Sequence, residues 1–278
     1  IDACRRFAEL VEPETDPYDF WLDNYEEGMT QEFCDKFFAE LRSKLVPLIA
    51  KVGAAEPPDT SLLNVRFPLD KQAELSGWLM RFLGLDPDRS ALTTTEHPFT
   101  IDFSRYDVRI TTKYYEDAFA SSMFSVIHEG GHALYELGTA EEYAFTQLGR
   151  GVSMGVHESQ SRFFENIIGR SRAFCGVIYP WLREHFAPRL DDVSPDAFYR
   201  MINKAQPSLI RTEADELTYC LHIMVRYELE KRMFAGELTA HDLPAEWNRL
   251  YKAYLGVDVP NDREGVLQDS HWAGGSIG

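Results

Sequence analysis

Apolar residues recur at helical spacing along the first third of the chain, and each run is bounded by residues that start or end helices. Thr30 can cap a first helix, which Pro47 is expected to kink or end. A polar, proline-containing connection at 54–59 separates it from a second amphipathic helix that stops at Gly84. The apolar positions are Phe33, Phe37, Phe38, Leu41 and Leu45 in the first helix and Leu75, Trp78, Leu79 and Phe82 in the second.

The same helical period dominates the rest of the chain after a short interruption. Ser194 followed by Pro195 is a strong start signal, because a capping hydroxyl precedes proline at the first helical position. The longest helix is predicted from near Ser208 to Ala235. Other helices are predicted at 115–137 with a stop at Gly138, at 156–172, and from Pro244 to Leu255 with a stop at Gly256.

The interruption lies between Leu92 and Thr112, where the residues are rich in Thr, Ile, Val and Phe and favour strands. We predict two or three strands, at Thr93–Thr95, Phe99–Phe103 and Val108–Thr112. No repeat, low-complexity tract or linker divides the chain. The sequence therefore predicts a mainly α fold, in which one helical domain over 1–278 carries a small antiparallel β-sheet.

Composition and charge exclude several classes of protein. Hydrophobic residues make up 44% of the chain, which is too apolar for a disordered protein. Lysine and arginine number 28 against 45 aspartate and glutamate residues, so the net charge is −17, and nucleic acid and anionic membranes are poor partners. No run approaches the roughly 18 apolar residues that a membrane span requires. Because the net charge is strongly negative, any anion that binds this protein must do so beside a positively charged side chain.

The four cysteines stand far apart, without a C-x-x-C pair. This usage favours buried thiols in a reducing compartment over a disulfide framework or a cysteine-ligated metal. The first ten residues, which begin at Ile1, have neither the basic nor the apolar region of a secretory signal. We therefore expect a cytoplasmic protein. The cysteines are Cys4, Cys34, Cys175 and Cys220.

His128, Glu129 and His132 form the pattern H-E-x-x-H inside a predicted helix. Residues four apart share a helix face, so both imidazoles can reach one metal while the carboxylate lies beside them. The alternative is a surface helix with two incidental histidines. Gly130 and Gly131 argue against it, because each costs about 1 kcal/mol relative to alanine inside a helix. They indicate a close approach there, by a neighbouring helix or by a substrate backbone.

A catalytic zinc site commonly has three protein ligands, so a third ligand must come from elsewhere in the chain. Periodicity does not choose among the nearby residues of suitable type, since a solvated carboxylate is the ordinary state of each acidic one. The candidates are Glu136, Glu141, Glu142, His157, Glu158 and Glu165.

Six segments, in order along the chain, carry a family resemblance. They are 97–99 (HPF), 107–111 (DVRIT), 128–132 (HEGGH), 157–160 (HESQ), 210–215 (IRTEAD) and 265–272 (GVLQDSHW). Together they resemble the M32 family of metallocarboxypeptidases, the carboxypeptidase Taq group. The resemblance implies a helical peptidase that removes C-terminal residues from peptides, uses zinc or cobalt, and forms a homodimer. Family members are longer, so it also implies a piece that lacks N-terminal and C-terminal portions.

The resemblance assigns roles to four residues. His128, His132 and Glu158 would ligate the metal, and Glu129 would act as the general base. A divalent metal lowers the pKa of its bound water towards about 7, so Glu129 can take the proton during attack and deliver it to the leaving amine. The sequence does not select zinc over cobalt, because histidine and carboxylate ligands suit several divalent ions.

An exopeptidase also needs a cation for the free C-terminal carboxylate of its peptide substrate. Arg211 is our candidate, because a guanidinium binds a carboxylate through two hydrogen bonds. The alternative for Arg211 is an ion pair with Asp215 on the same helix face. Arg109 is either an anchor between the sheet and the active-site cleft next to it, or a partner of Asp107.

Four more residues are predicted to contribute to the site. His271 is expected to donate to the oxyanion or to the substrate terminus, and Gln268 and Asp269 to contact substrate or to orient a metal ligand. His97 is expected to line the cleft or to be structural. The sequence thus predicts a metallocarboxypeptidase. The alternatives are an oligopeptidase of the wider H-E-x-x-H class and a catalytically incomplete helical fragment that binds metal.

Overall fold

The computed structural model describes residues 1–269 and 271–278. Helices dominate these residues, which confirms the predicted fold class. No helix in this part of the chain is long and apolar enough to cross a membrane. The α-helices are α1 (Asp2–Val11), α2 (Pro17–Tyr25), α3 (Gln31–Gly53), α4 (Leu69–Phe82), α5 (Phe119–Leu137), α6 (Met154–Arg162), α7 (Arg172–His185), α8 (Pro195–Ile202), α9 (Glu216–Phe234), α10 (Leu243–Leu255) and α11 (His271–Gly274).

The described residues form two compact units. The first unit contains Ile1–Pro57 and Ala205–Gly278, and the second contains Pro58–Lys204. The first boundary between them falls inside the polar, proline-containing connection at 54–59. A single domain over 1–278 stays a prediction.

Helix α5 is the central element of the second unit. Its apolar residues Phe119, Met123 and Ile127 are at most 1% exposed, and they belong to the same core as the buried side of the sheet. That side of the sheet presents Val108 and Ile110, both fully buried. Burial of apolar surface stabilises such a core by about 25 cal/mol per Å². Helix α4 also contacts α5, so α5 is packed on more than one side.

The sheet is mixed, which differs from the antiparallel sheet that the sequence predicted. Its strands are β1 (Ser90–Thr94), β2 (Thr100–Ser104) and β3 (Asp107–Thr112), in the order β1-β3-β2. Strands β2 and β3 form the expected antiparallel hairpin, but β1 pairs with β3 in parallel. Strand β2 lies at the edge of the sheet, and after the tight turn that follows Ser104 the chain returns as β3 between β2 and β1. Strand β3 therefore runs antiparallel to β2 and in the same direction as β1.

In the first unit, α9 packs with α3 and α10 around an apolar core. Pro47 does not end α3, which continues to Gly53, because residues on both sides of it, Leu45 and Ile49, pack into this core. With 23 residues α3 is the longest helix in the described chain, so the prediction that the longest helix lies at 208–235 is wrong. Buried members of the core include Ile49, Leu221, Met224, Leu229, Trp247 and Leu250.

Two predicted helices have different bounds. The carboxylate of Asp215 accepts hydrogen bonds from the backbone N–H groups of Leu217 and Thr218, so α9 begins at Glu216 and not near Ser208. The helix predicted at 156–172 is α6 followed by a π-helix at Phe163–Gly169. The predicted caps at Thr30 and Ser194 and the predicted stops at Gly138 and Gly256 are confirmed.

Candidate metal centre

Two histidines and a carboxylate converge in the second unit. His128 and His132 lie one turn apart on α5, and their Nε2 atoms are 3.6 and 3.2 Å from Oε2 of Glu158 on α6. One ligand atom of each residue lies within 4.8 Å of the other two. Two imidazole nitrogens and one carboxylate oxygen are a donor set typical of catalytic zinc sites. These three residues could therefore hold a divalent metal.

The close crossing of α5 and α6 explains Gly131, the second of the two glycines of the motif. A Cβ atom on Gly131 would lie 2.7 Å from Cα of Ser161 and 3.0 Å from the carbonyl oxygen of Gln160. A Cβ atom on Gly130 would lie 2.5 Å from Cδ1 of Leu83, the end of a flexible side chain. At Gly131 the close approach is therefore made by a neighbouring helix. This crossing brings the carboxylate of α6 to the two histidines.

Glu165, in the π-helix, orients His128. Its Oε2 lies 2.9 Å from Nδ1 of His128, so Nδ1 carries the hydrogen and Nε2 is left for a metal. Burial lowers the pKa of His128, but the hydrogen bond to Glu165 and the charge of Glu158 outweigh it and the pKa is raised. Burial raises the pKa of Glu165, and the bond to His128 and the charge of Arg162 lower that pKa further than burial raises it. Glu165 is therefore ionised.

His157 contacts the second motif histidine. Its Nδ1 lies 2.6 Å from Nδ1 of His132, and its Nε2 lies 2.6 Å from Oε1 of Glu136. Glu136 is buried on α5, one turn after His132. Both ring nitrogens of His157 are engaged in these contacts, so Glu158 and not His157 is the third member of the converging group.

Glu158 is partly exposed and is held by several donors. The Ser161 hydroxyl donates to its Oε2 at 3.1 Å, and Nε of Arg162 donates to its Oε1 at 3.2 Å. Burial acts to raise the pKa of Glu158, but the hydrogen bond from His132 and the charges of His128 and Arg162 lower this pKa to about 2. The carboxylate is therefore ionised, as metal coordination requires.

Glu129, the central carboxylate of the motif, contacts the sheet. Its Oε2 accepts a 2.6 Å hydrogen bond from the hydroxyl of Thr100 on β2. The same hydroxyl lies 3.1 Å from the backbone carbonyl oxygen of Glu129. Glu129 is only 8% exposed. The small sheet therefore lies beside the H-E-x-x-H helix and fixes the direction of its carboxylate.

Arg109 and His97 belong to the second unit but are not members of this cluster. Arg109 on β3 is exposed and forms a bidentate ion pair with Asp107, with bonds of 2.9 and 2.7 Å. This is one of the two arrangements that the sequence left open for Arg109. His97 is exposed, and its carbonyl oxygen accepts a hydrogen bond from the Thr95 hydroxyl at 2.7 Å.

Arg211 and Gln268 lie in the first unit. The Gln268 side chain joins two segments there, because its Oε1 accepts from the backbone N–H of Arg211 at 3.0 Å and its Nε2 donates to the carbonyl of Leu209 at 2.8 Å. The Arg211 guanidinium donates to the hydroxyl of Tyr219 at 3.0 Å. The helical geometry assumed for a pair with Asp215 is wrong, since Arg211–Glu213 is a 3-10 turn and Asp215 caps α9.

Asp269 orients His271 in the same unit. Its Oδ1 lies 3.1 Å from Nδ1 of His271, and its Oδ2 lies 3.6 Å from Nε of Arg226 on α9. The sequence suggested that Asp269 or Gln268 could orient a metal ligand. Within this unit Asp269 is paired with His271, and Gln268 is bonded to backbone groups, so the orienting role stays a prediction.

Some partners in the second unit were not predicted from the sequence. Thr100 was not singled out, and Glu165, Glu136 and His157 were considered only as rival metal ligands. The hydrogen bonds that give them other roles join residues 21 to 37 positions apart in the chain. The available signal was the presence of polar residues on elements flanking the motif, which does not identify pairs.

Comparison with known proteins identifies the family. The family described as "Carboxypeptidase Taq (M32) metallopeptidase" matches residues 1–278. Carboxypeptidase 1 from Bacillus subtilis is 46% identical over 279 residues, which cover 100% of this chain and 56% of that protein. Thermostable carboxypeptidase 1 from Thermus thermophilus is 47% identical over 262 residues, which cover 94% of this chain and 51% of that protein.

A solved structure gives the same result. The crystal structure of the M32 carboxypeptidase from Deinococcus radiodurans R1 matches with a TM-score of 0.96 and 43% identity, covering 100% of this chain and 56% of that one. The chain thus spans about half the length of the relatives it matches. Because the match to this family covers residues 1–278, the protein belongs to the carboxypeptidase Taq (M32) family of metallopeptidases.

Proposed function

We propose that this protein is a metal-dependent carboxypeptidase, which releases C-terminal amino acids from peptides. The observation that carries the proposal is the convergence of His128, His132 and Glu158, whose ligand atoms lie within 4.8 Å of one another. Family membership supports it, since the relatives that the chain matches are named carboxypeptidases.

Zinc is the metal we propose, with cobalt as the second choice. Two imidazole nitrogens and one carboxylate oxygen suit zinc, and the same donors accept other divalent ions. When bound, such a metal supplies Lewis acidity, because it polarises a carbonyl group and makes water a stronger acid. Nε2 of His128, Nε2 of His132 and Oε2 of Glu158 are the atoms proposed to hold it.

Glu129 is the proposed general base. It takes a proton from the water that attacks the scissile carbonyl and returns this proton to the leaving amine. The Thr100 hydroxyl holds Oε2 of Glu129 at 2.6 Å, which leaves Oε1 for the proton. A base fixed in this way loses little conformational freedom during the reaction.

Arg211 is proposed to bind the free C-terminal carboxylate of the peptide, and His271 to donate a hydrogen bond to the substrate. These assignments rest on the family motifs that contain the two residues. His97, Arg109, Gln268 and Asp269 stay predictions as substrate-binding residues. The protein is also proposed to act as a homodimer.

We place the protein in the cytoplasm. Cys34 and Cys175 are buried thiols. Buried thiols outside disulfide bonds are typical of proteins in reducing compartments, which supports the proposal.

The test compares two forms of one N-blocked peptide, with a free C-terminal carboxylate or a C-terminal amide, as substrates of the zinc-loaded protein. We expect hydrolysis of the free acid, and Glu129→Gln should lower its kcat by about 10²- to 10⁴-fold. Arg211→Met should lower kcat/KM far more for the free acid than for the amide. Equal losses on the two peptides would indicate an oligopeptidase. Binding of one zinc ion per protein molecule without hydrolysis of either peptide would indicate a catalytically incomplete fragment.

A further inference from the structure

The two motif histidines, His128 and His132, have different hydrogen-bond partners at their Nδ1 atoms. Glu165 contacts Nδ1 of His128 directly, at 2.9 Å. Glu136 reaches His132 only through His157, whose two ring nitrogens lie 2.6 Å from Nδ1 of His132 and 2.6 Å from Oε1 of Glu136. A second imidazole is therefore inserted between one candidate ligand and its carboxylate.

Hydrogen bonds run from His132 through His157 to Glu136, and their direction is set at His132. Nε2 of His132 is the atom proposed to bind the metal, and with a metal bound there the ring hydrogen would lie on Nδ1 and be donated to Nδ1 of His157. The hydrogen of His157 then lies on Nε2 and is donated to the carboxylate of Glu136. Every donor meets an acceptor, which is the condition under which a buried polar network fixes one geometry.

The surroundings hold His157 in this orientation. Its ring stacks on that of His132 with centroids 4.6 Å apart, and Tyr135 contacts it edge-on at 5.0 Å. Gly151 approaches so closely that a Cβ atom there would lie 2.9 Å from Cδ2 of His157. Glu136 is 7% exposed, and a buried carboxylate requires a donor such as Nε2 of His157.

We propose that His157 and Glu136 are positioning residues that form a relay, which directs Nε2 of His132 towards the metal and strengthens it as a ligand. The relay rests on the proposed metal site. Hydrogen-bond partners of metal-binding histidines typically change metal affinity by about 10- to 100-fold. Loss of the relay should therefore be visible in metal binding itself, before any activity is measured.

The experiment measures zinc affinity by competition with a chromophoric chelator, for the parent protein and three variants. His157→Gln should weaken zinc binding by about 10-fold or more. Glu136→Gln should also weaken zinc binding, because the amide oxygen still accepts a hydrogen bond from His157 but carries no negative charge. The double variant should lose no more zinc affinity than His157→Gln alone, since both residues act through the same series of hydrogen bonds.

Two controls match these substitutions. His241 and Glu142 are exposed residues, and His241→Gln and Glu142→Gln should leave zinc affinity unchanged. Cobalt-loaded protein gives a second readout, because its visible absorption reports the ligands directly. The spectrum should shift in His157→Gln and Glu136→Gln but not in the controls, a change that a purely structural role would not produce.

The outcomes separate the relay from the metal site. If the parent binds zinc and both relay variants bind it within threefold of the parent, the relay is overturned while the metal site stands. Fully additive losses in the double variant would also overturn it. If His157→Gln does not fold, as judged by circular dichroism, Glu136→Gln alone decides. If the parent itself binds no zinc, both the relay and the proposed metal site are overturned.

Discussion

The hydroxyl of Thr100 donates a 2.6 Å hydrogen bond to Oε2 of Glu129, and this bond joins strand β2 to the H-E-x-x-H helix α5. The two residues are 29 positions apart in the chain. The bond gives the small sheet a role beyond packing, because it holds the proposed general base in one orientation. A group that must accept and return a proton works best when its position is fixed before the substrate arrives.

Thr100→Val tests this role with a side chain of nearly the same shape. We expect kcat to fall by about 10-fold, since a hydrogen bond to a charged group contributes about 1.5 kcal/mol or more. Zinc affinity should be unchanged, because Thr100 does not contact the converging ligands. Thr94→Val, at an exposed position on β1, is the matched control. Unchanged kcat in Thr100→Val would show that the sheet does not position the base.

Gly131→Ala should separate α5 from α6. The added Cβ atom would lie 2.7 Å from Cα of Ser161, so the helices must move apart and Glu158 must move with α6. We expect the free energy of unfolding to fall by about 1–3 kcal/mol, and zinc binding to weaken. Chemical denaturation and chelator competition measure the two effects.

Gly176 supplies the comparison for this substitution. It lies in α7, and a Cβ atom there would have no neighbour within 4 Å. Gly176→Ala should therefore stabilise the protein, by up to about 1 kcal/mol, because alanine is the better helix former. If Gly131→Ala were as stable as Gly176→Ala, the close helix crossing would not be the reason for the glycine.

The sequence predicted the parts of the site that depend on spacing within one element. Two histidines four residues apart on a helix must share a face, and caps such as Thr30 and Ser194 act on the N–H groups of the next turn. The sheet was predicted less well, because the hairpin β2-β3 could be recognised locally but the parallel partner of β3 could not.

Contacts between elements required the structure. Glu165, His157 and Glu158 all follow α5 in the chain, and each is a polar residue of suitable type. Only the crossing of α5 with α6 and the π-helix decides that Glu165 lies behind His128 and His157 behind His132. Position 211 illustrates the same limit, since apolar spacing extended a helix over it although the Asp215 cap starts α9 later.

His222 in the first unit should make stability depend on pH. It is buried on α9, and its Nδ1 lies 2.9 Å from the hydroxyl of Tyr251. Burial is the main reason that its pKa is lowered from 6.5 to about 4, and the charge of Arg211 lowers this pKa further while Asp215 opposes it. Between these values the unfolded chain binds a proton that the folded protein does not bind.

The stabilising contribution of neutral His222 is therefore complete above about pH 6.5 and is lost as the pH falls towards 4, by up to about 3 kcal/mol. His222→Gln should remove this part of the pH dependence. Denaturation of the parent and the variant at several pH values measures the difference, and His241→Gln, at an exposed position, should follow the parent. Parallel curves for the parent and His222→Gln would show that His222 is not buried in its neutral form.

The shared metal ion is tested most directly by X-ray diffraction from crystals grown with zinc, measured on both sides of the zinc absorption edge. We predict one anomalous peak about 2.0–2.2 Å from Nε2 of His128, Nε2 of His132 and an oxygen of Glu158, with Glu129 adjacent to it. A peak elsewhere, or three side chains too far apart to bind one ion in zinc-saturated protein, would contradict the proposed peptidase site.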